Sequence, residues 1–119
     1  EYMHMVDTAK RDWMRSRLEG SQGFYDVNHD DRLRILQMLT AAEGLEKYLH
    51  TRYVGQKRFS LEGGESLIPL MDHLIQHGGK NGIKDAIIGM AHRGRLNVMA
   101  HVRGKPYEQS LAELQFRLM

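Results

Sequence analysis

The chain has 119 residues, 41% of them hydrophobic and 27% charged, with a formal net charge of +2 and no cysteine. That length allows one domain at most, with an ordinary globular composition. Disulfides and thiolate metal sites are excluded, no apolar run approaches the ~20 residues that span a bilayer, and so small a charge excess leaves no nucleic-acid footprint by itself.

The opening EYMHMVDTAK lacks the basic-then-apolar layout of a secretory signal, and the missing initiator Met reads as an internal segment from a cytosolic-type environment. Residues 5–19 predict a first helix, with Asp7 or Thr8 as cap, Trp13, Met14 and Leu18 as its apolar side and Gly20 as its stop. A turn-rich link over residues 21–28 follows. From Asp30 onward, Leu33, Leu36, Leu39, Ala42, Leu45 and Leu49 recur every three or four residues, the stripe of an amphipathic helix. Arg32, Arg34, Glu43, Glu46 and Lys47 are assigned to its solvated face.

Residues 55–64 read as a loop with a basic pair, Lys57 and Arg58, beside one ring, Phe59. Leu67, Leu70, Met71, Leu74 and Ile75 mark another helix, stopped by Gly78 and Gly79; Pro69 implies either a start near Leu67 or a kink in the first turn. Residues 85–90, DAIIGM, have the length and β-branched content of a buried strand. Gly89 and Gly94 bracket a turn holding His92 and Arg93, after which Leu96, Val98, Met99 and Val102 return at helical spacing, with Gly104 and Pro106 as stops. Residues 107–118 are helical by composition. The expected fold class is α/β but mostly helical, and its one strand needs neighbours that this chain does not contain.

The turn after that strand is where chemistry concentrates. The first N–H groups of a helix are unpaired and carry partial positive charge, so anions collect there. Arg93 and Arg95 add two fixed cations, and His92 adds a group that moves protons near neutral pH. On spacing alone, an ordinary surface turn is an equally good account. His73 and His77 share a helix face but lack a third metal ligand. Lys57, Arg58, Arg93, Arg95, Arg103 and Lys105 offer an alternative, a basic phosphate- or nucleic-acid-binding interaction module, opposed by the even charge balance and the lack of interleaved aromatics.

The strings GMAHRGRLNV and QKRFSLEGGESLIP resemble the start of the first thiamine-diphosphate-binding domain in the decarboxylating component of 2-oxoglutarate dehydrogenase. The resemblance runs from EYMHM to about Pro106. It implies a fragment of that α/β fold, its helices plus the first parallel strand, with residues 1–54 as a helical lead-in and residues 55–119 as the incomplete start of the domain. The implied activity of the parent is oxidative decarboxylation of 2-oxoglutarate with transfer of the succinyl group to lipoyl-enzyme in the tricarboxylic acid cycle, the fragment itself being inactive. A 2-oxoadipate enzyme, or a decarboxylase with ligase activity, would share these motifs.

His92 resembles the family histidine that faces substrate beside the thiazolium, Arg93 the arginine that contacts thiamine diphosphate, and Phe59 an aromatic at the cofactor pocket. Each has a plainer alternative: His92 as an anchor of its turn, Phe59 as core. Arg95 serves either the cofactor or a tie to a neighbouring acid, Glu62 is placed to anchor its loop by accepting from Arg58 or Arg93, and Asn97 to hydrogen-bond the turn. The implied cofactors are thiamine diphosphate and Mg2+, but the metal ligands lie beyond this chain and none is assigned here. Implied partners are 2-oxoglutarate, a second copy of the parent in a homodimer and the lipoyl-bearing succinyltransferase component, without nucleic acid or membrane. The implied location is cytoplasmic, or the mitochondrial matrix if the source is eukaryotic.

Overall fold

Four helices follow one another in the computed structural model, which describes residues 2–102 and 104: α1 (Thr8–Gly20), α2 (His29–Arg52), α3 (Leu67–Lys80) and α4 (Arg95–His101). Local chemistry explains the first three starts. Asp7 caps α1 by accepting from the Lys10 N–H at 3.1 Å. Asn28 does the same for α2, accepting from the Asp31 N–H at 2.8 Å while its own amide donates to the Asp31 carboxylate at 2.8 Å. Asp30 and Asp31 then lie in the first turn, where the helix dipole favours them. Pro69 is the third residue of α3, where no intrahelical N–H is required, so the helix can start at Leu67. The expected stop at Gly78 and Gly79 moves on to Lys80, because Gly82, at φ 87, turns the chain so that the Ile83 N–H meets the Gly78 carbonyl at 3.0 Å.

The chain divides into two compact units between Asp31 and Arg32. In the first, α1 has no buried residue; Trp13 is exposed and stacks against the Arg17 guanidinium, 4.7 Å from the ring centre. The second holds the core. Ala42 of α2, Leu61 of the following loop, Ile68 of α3 and Val98 of α4 form one buried cluster, edged by Met38, Leu67, Met71 and Val102. Arg34 adds a fork-to-carboxylate pair with Asp72, both bonds at 3.0 Å, linking α2 to α3. The apolar stripe of α2 is buried in its second half, at Ala42 and Leu49, whereas Leu33 and Leu36 are exposed.

The strand expected at residues 85–90 does not form. No strand occurs among the described residues, and this stretch is irregular with Ile87 fully exposed. A strand is a shared ladder of hydrogen bonds, and no partner strand occurs among the described residues. The mostly helical character expected of the chain is what the described residues show, and the strand on which the α/β class rests is not formed among them. The helix expected over residues 107–118 and the stops at Gly104 and Pro106 fall largely outside the described residues.

Candidate functional site

The loop between α2 and α3 meets the turn before α4 in the second unit, and this meeting brings the two motifs together. The Gly94 N–H donates to the Phe59 carbonyl at 2.8 Å, and Arg93 Nη1 donates to the Ser60 carbonyl at 3.3 Å. The Phe59 ring stacks on the His92 imidazole, centroids 4.9 Å apart and planes 25° from parallel. Lys57 Nζ lies 5.2 Å from the same ring. All three residues singled out from the sequence, His92, Arg93 and Phe59, thus share one exposed edge.

Gly94 makes this approach possible. Its φ is 72, a conformation that disfavours side chains, and a Cβ there would lie 2.6 Å from Leu61 Cδ1. The loop answers with its own left-handed residue, Phe59 at φ 50. The turn is less open to anions than its pattern implied. The Gly94 N–H is committed to Phe59, the Arg95 N–H bonds the His92 carbonyl at 3.1 Å, and α4 has only seven residues.

Beneath this edge lies a polar network that includes one residue assigned to the wrong face. Glu46, expected on the solvated side of α2, is 4% exposed. Its Oε2 takes an ion pair from Arg58, whose side chain is 9% exposed, and a hydrogen bond from Ser60 Oγ at 2.8 Å. Asn97, fully buried, donates through Nδ2 to Glu46 Oε1 at 3.1 Å and to the Ala42 carbonyl at 2.9 Å. With its amide nitrogen so used, Asn97 presents Oδ1 to His101 Nδ1 at 2.7 Å, which fixes that nitrogen as the protonated one. Asn97 does play a structural role, but its side chain bonds α2 and His101 and not the turn it was expected to hold. The tie expected from Glu62 does not form, since Arg58 goes to Glu46 and Arg93 to a carbonyl. Arg95 is exposed.

Burial by itself would push the Glu46 carboxyl up. Hydrogen bonds from Asn97, Ser60 and the Leu61 N–H, with the charge of Arg58, outweigh it and hold the group below its ordinary 4.5. His101 is pushed below its ordinary 6.5 by burial, against an opposing hydrogen bond to Asn97. Both shifts have the same consequence. Each group takes up its proton more readily in the unfolded chain, so each contributes stability at higher pH that is lost on acidification. Urea denaturation should show stability declining in two stages, from about pH 6.5 as His101 begins to matter and again below about pH 4.5 through Glu46. His101→Gln should remove the first stage. Stability that rises as the pH falls from 7 to 5 would contradict the His101 assignment, and stability that rises on acidification below about pH 4.5 would contradict that of Glu46.

The edge suits part of the cofactor implied by the sequence. Arg93 is exposed and makes one long carbonyl contact, so its fork has capacity for phosphate oxygens, and the stacked Phe59 and His92 rings offer a surface for a heterocycle. Nothing comparable suits Mg2+. Among the described residues no group of three or more His, Cys, Asp or Glu side chains is placed to hold a metal ion, and His73 and His77 stack on each other instead, 6.2 Å between centroids. The basic-module alternative loses one of its six cations, because Arg58 is buried in an ion pair; Arg103 and Lys105 lie outside the described residues. No described helix is long and apolar enough to cross a membrane.

No protein-family model matches the chain. Over 115 residues, 97% of its length, it is 51% identical to the 2-oxoglutarate dehydrogenase E1 component of Cupriavidus necator, 46% identical to that of a Geobacillus species and 44% identical to that of Bacillus cereus. The matched residues make up 12% of each of these relatives. The chain thus spans about 12% of the length of the curated relatives it matches.

Proposed function

We propose, from the premise that this chain is homologous to one segment of the 2-oxoglutarate dehydrogenase E1 components, that it forms one wall of the site where a 2-oxo acid is decarboxylated. On this reading residues 55–119 open the first thiamine-binding domain and residues 1–54 lead into it, with the irregular residues 85–90 becoming a strand once neighbours are supplied. The substrate is 2-oxoglutarate, and the succinyl group passes to a lipoyl-bearing succinyltransferase. The working enzyme is a homodimer in the bacterial cytoplasm. The observation that carries the reading is the joining of the two motifs at one exposed edge, Phe59 on His92 and Arg93 on Ser60.

Thiamine diphosphate, when bound, supplies the electron sink for loss of CO2. This chain's own residues bind and orient around it. Arg93 presents a planar fork to phosphate oxygens. Phe59 offers an apolar ring face and excludes water from it. His92 carries a ring nitrogen able to donate to a substrate carboxylate or carbonyl oxygen and to move a proton there. Ligands for Mg2+ come from elsewhere in the E1 chain.

A chimera tests this directly. These residues, exchanged for the matching segment of the Cupriavidus necator E1 component, should leave 2-oxoglutarate-dependent CO2 release within about tenfold of the parent, because the exchange keeps the proposed edge and disturbs mainly peripheral packing. The 119 residues alone should release no CO2 above a protein-free control. A folded, cofactor-loaded chimera without turnover would overturn the proposal, as would turnover by the isolated chain.

A further inference from the structure

We infer that Glu46 is a positioning residue for the Phe59–His92 ring pair, acting from the helix that neither motif belongs to. The geometry is specific. Arg58 and Ser60, on either side of Phe59 in sequence, both bond the same carboxylate oxygen, Oε2 of Glu46. Pinning both neighbours to one buried point leaves the intervening residue no room to follow them inward. Phe59 accordingly takes φ 50, rare for an aromatic residue, and its ring stands out of the core against His92. Strained backbone of this kind persists where surrounding contacts over-determine it.

The other oxygen of the same carboxylate reaches the second motif. Glu46 Oε1 accepts from Asn97, which belongs to α4 and follows directly on the turn of His92 and Arg93. One buried group therefore fixes both halves of the stacked pair, the loop through Oε2 and the helix through Oε1. A carboxylate suits this task because two oxygens offer about four acceptor positions, and Asn97, Ser60, Arg58 and the Leu61 N–H all draw on it. Its functional consequence rests on the reading of this edge as a ligand site, but its geometric content does not.

Proton and carbon NMR of the His92 ring in the full 119-residue chain reads the pair without any ligand. A phenyl ring stacked at 4.9 Å displaces the imidazole resonances, and Phe59→Ala sets their unstacked positions. Glu46→Gln keeps the shape but loses the charge that holds Arg58. It should move the His92 resonances at least half of the way to the Phe59→Ala positions while far-UV circular dichroism stays helical. Ser60→Ala, which leaves Arg58 paired with Glu46, should move them less and in the same direction. A purely structural Glu46 would lower the melting temperature and leave the resonances of the folded chain in place. Unmoved resonances in folded Glu46→Gln overturn the inference; if that variant unfolds, unmoved resonances in folded Ser60→Ala overturn it. An inactive chimera alongside displaced resonances would reject the enzymatic reading alone, and an active chimera with unmoved resonances would reject only the role of Glu46.

Discussion

Arg58→Leu should lower the free energy of unfolding by about 3–5 kcal/mol, the usual cost of stripping one member from a buried ion pair. The Arg58 and Glu46 side chains are 9% and 5% exposed, so water and salt screen them little. With leucine at 58, the Glu46 carboxylate keeps Ser60 and Asn97 as donors but loses its charged partner. Burial, which already works against the ionised form, then has less opposing it, and the carboxyl moves up. The loss is a large share of the ~5–15 kcal/mol that holds a small domain together. A double variant with leucine at both 46 and 58 should not recover. Isolated buried pairs often tolerate apolar replacement, but here Asn97 and Ser60 would be left facing hydrocarbon. Lys47→Ala provides the control, because the Lys47–Glu43 pair is 72% and 55% exposed and its loss should cost about 0.5 kcal/mol or less. Equilibrium urea unfolding reads all three, and recovery in the double variant would show that the network is a simple pair.

The pattern of successes follows the range of the interactions that decide each element. Caps and periodicity are local, so the Asp7 cap, the reach of α2 and the start of α3 near Leu67 could be read directly from the chain. The strand at residues 85–90 could not, since a strand exists only with a partner, and composition alone cannot supply one. Charge places Glu46 on the solvated face of α2, whereas its phase places it in the core. Ala42, Glu46 and Leu49 stand at i, i+4 and i+7, one face of a helix, and a glutamate in line with two core residues is the signal that was there to be used. Asn97 and His101 carry the same spacing on α4. The contact of Phe59 with His92, 33 residues away, has no local signature at all: each residue belongs to its own motif, and folding through Glu46 and Gly94 joins them.

His92→Ala in an E1 component carrying this segment should lower turnover by roughly a hundredfold or more, the usual scale of general acid–base or oxyanion-type assistance. Thiamine diphosphate affinity should stay nearly constant, because the phosphate oxygens are assigned to Arg93. Arg93→Ala should show the opposite balance, with cofactor affinity falling first and turnover partly recovering in excess cofactor. Arg93→Lys keeps the charge but loses the fork, and should fall between the two. The stacking contact supplies a further discrimination. If His92 served only as a platform for the Phe59 ring, Phe59→Ala would reproduce the His92→Ala loss, and the pH dependence of turnover would be untouched in both. A histidine that moves a proton instead leaves its own ionisation in the rate profile of the parent and removes it in His92→Ala alone. Arg93 also donates to the Ser60 carbonyl, so a purely structural arginine would lower stability in Arg93→Ala without a cofactor dependence in the recovered rate. Equal losses of cofactor binding in His92→Ala and Arg93→Ala would mean that the turn before α4 acts as one structural unit, and the division of substrate and cofactor between adjacent residues would have to be abandoned.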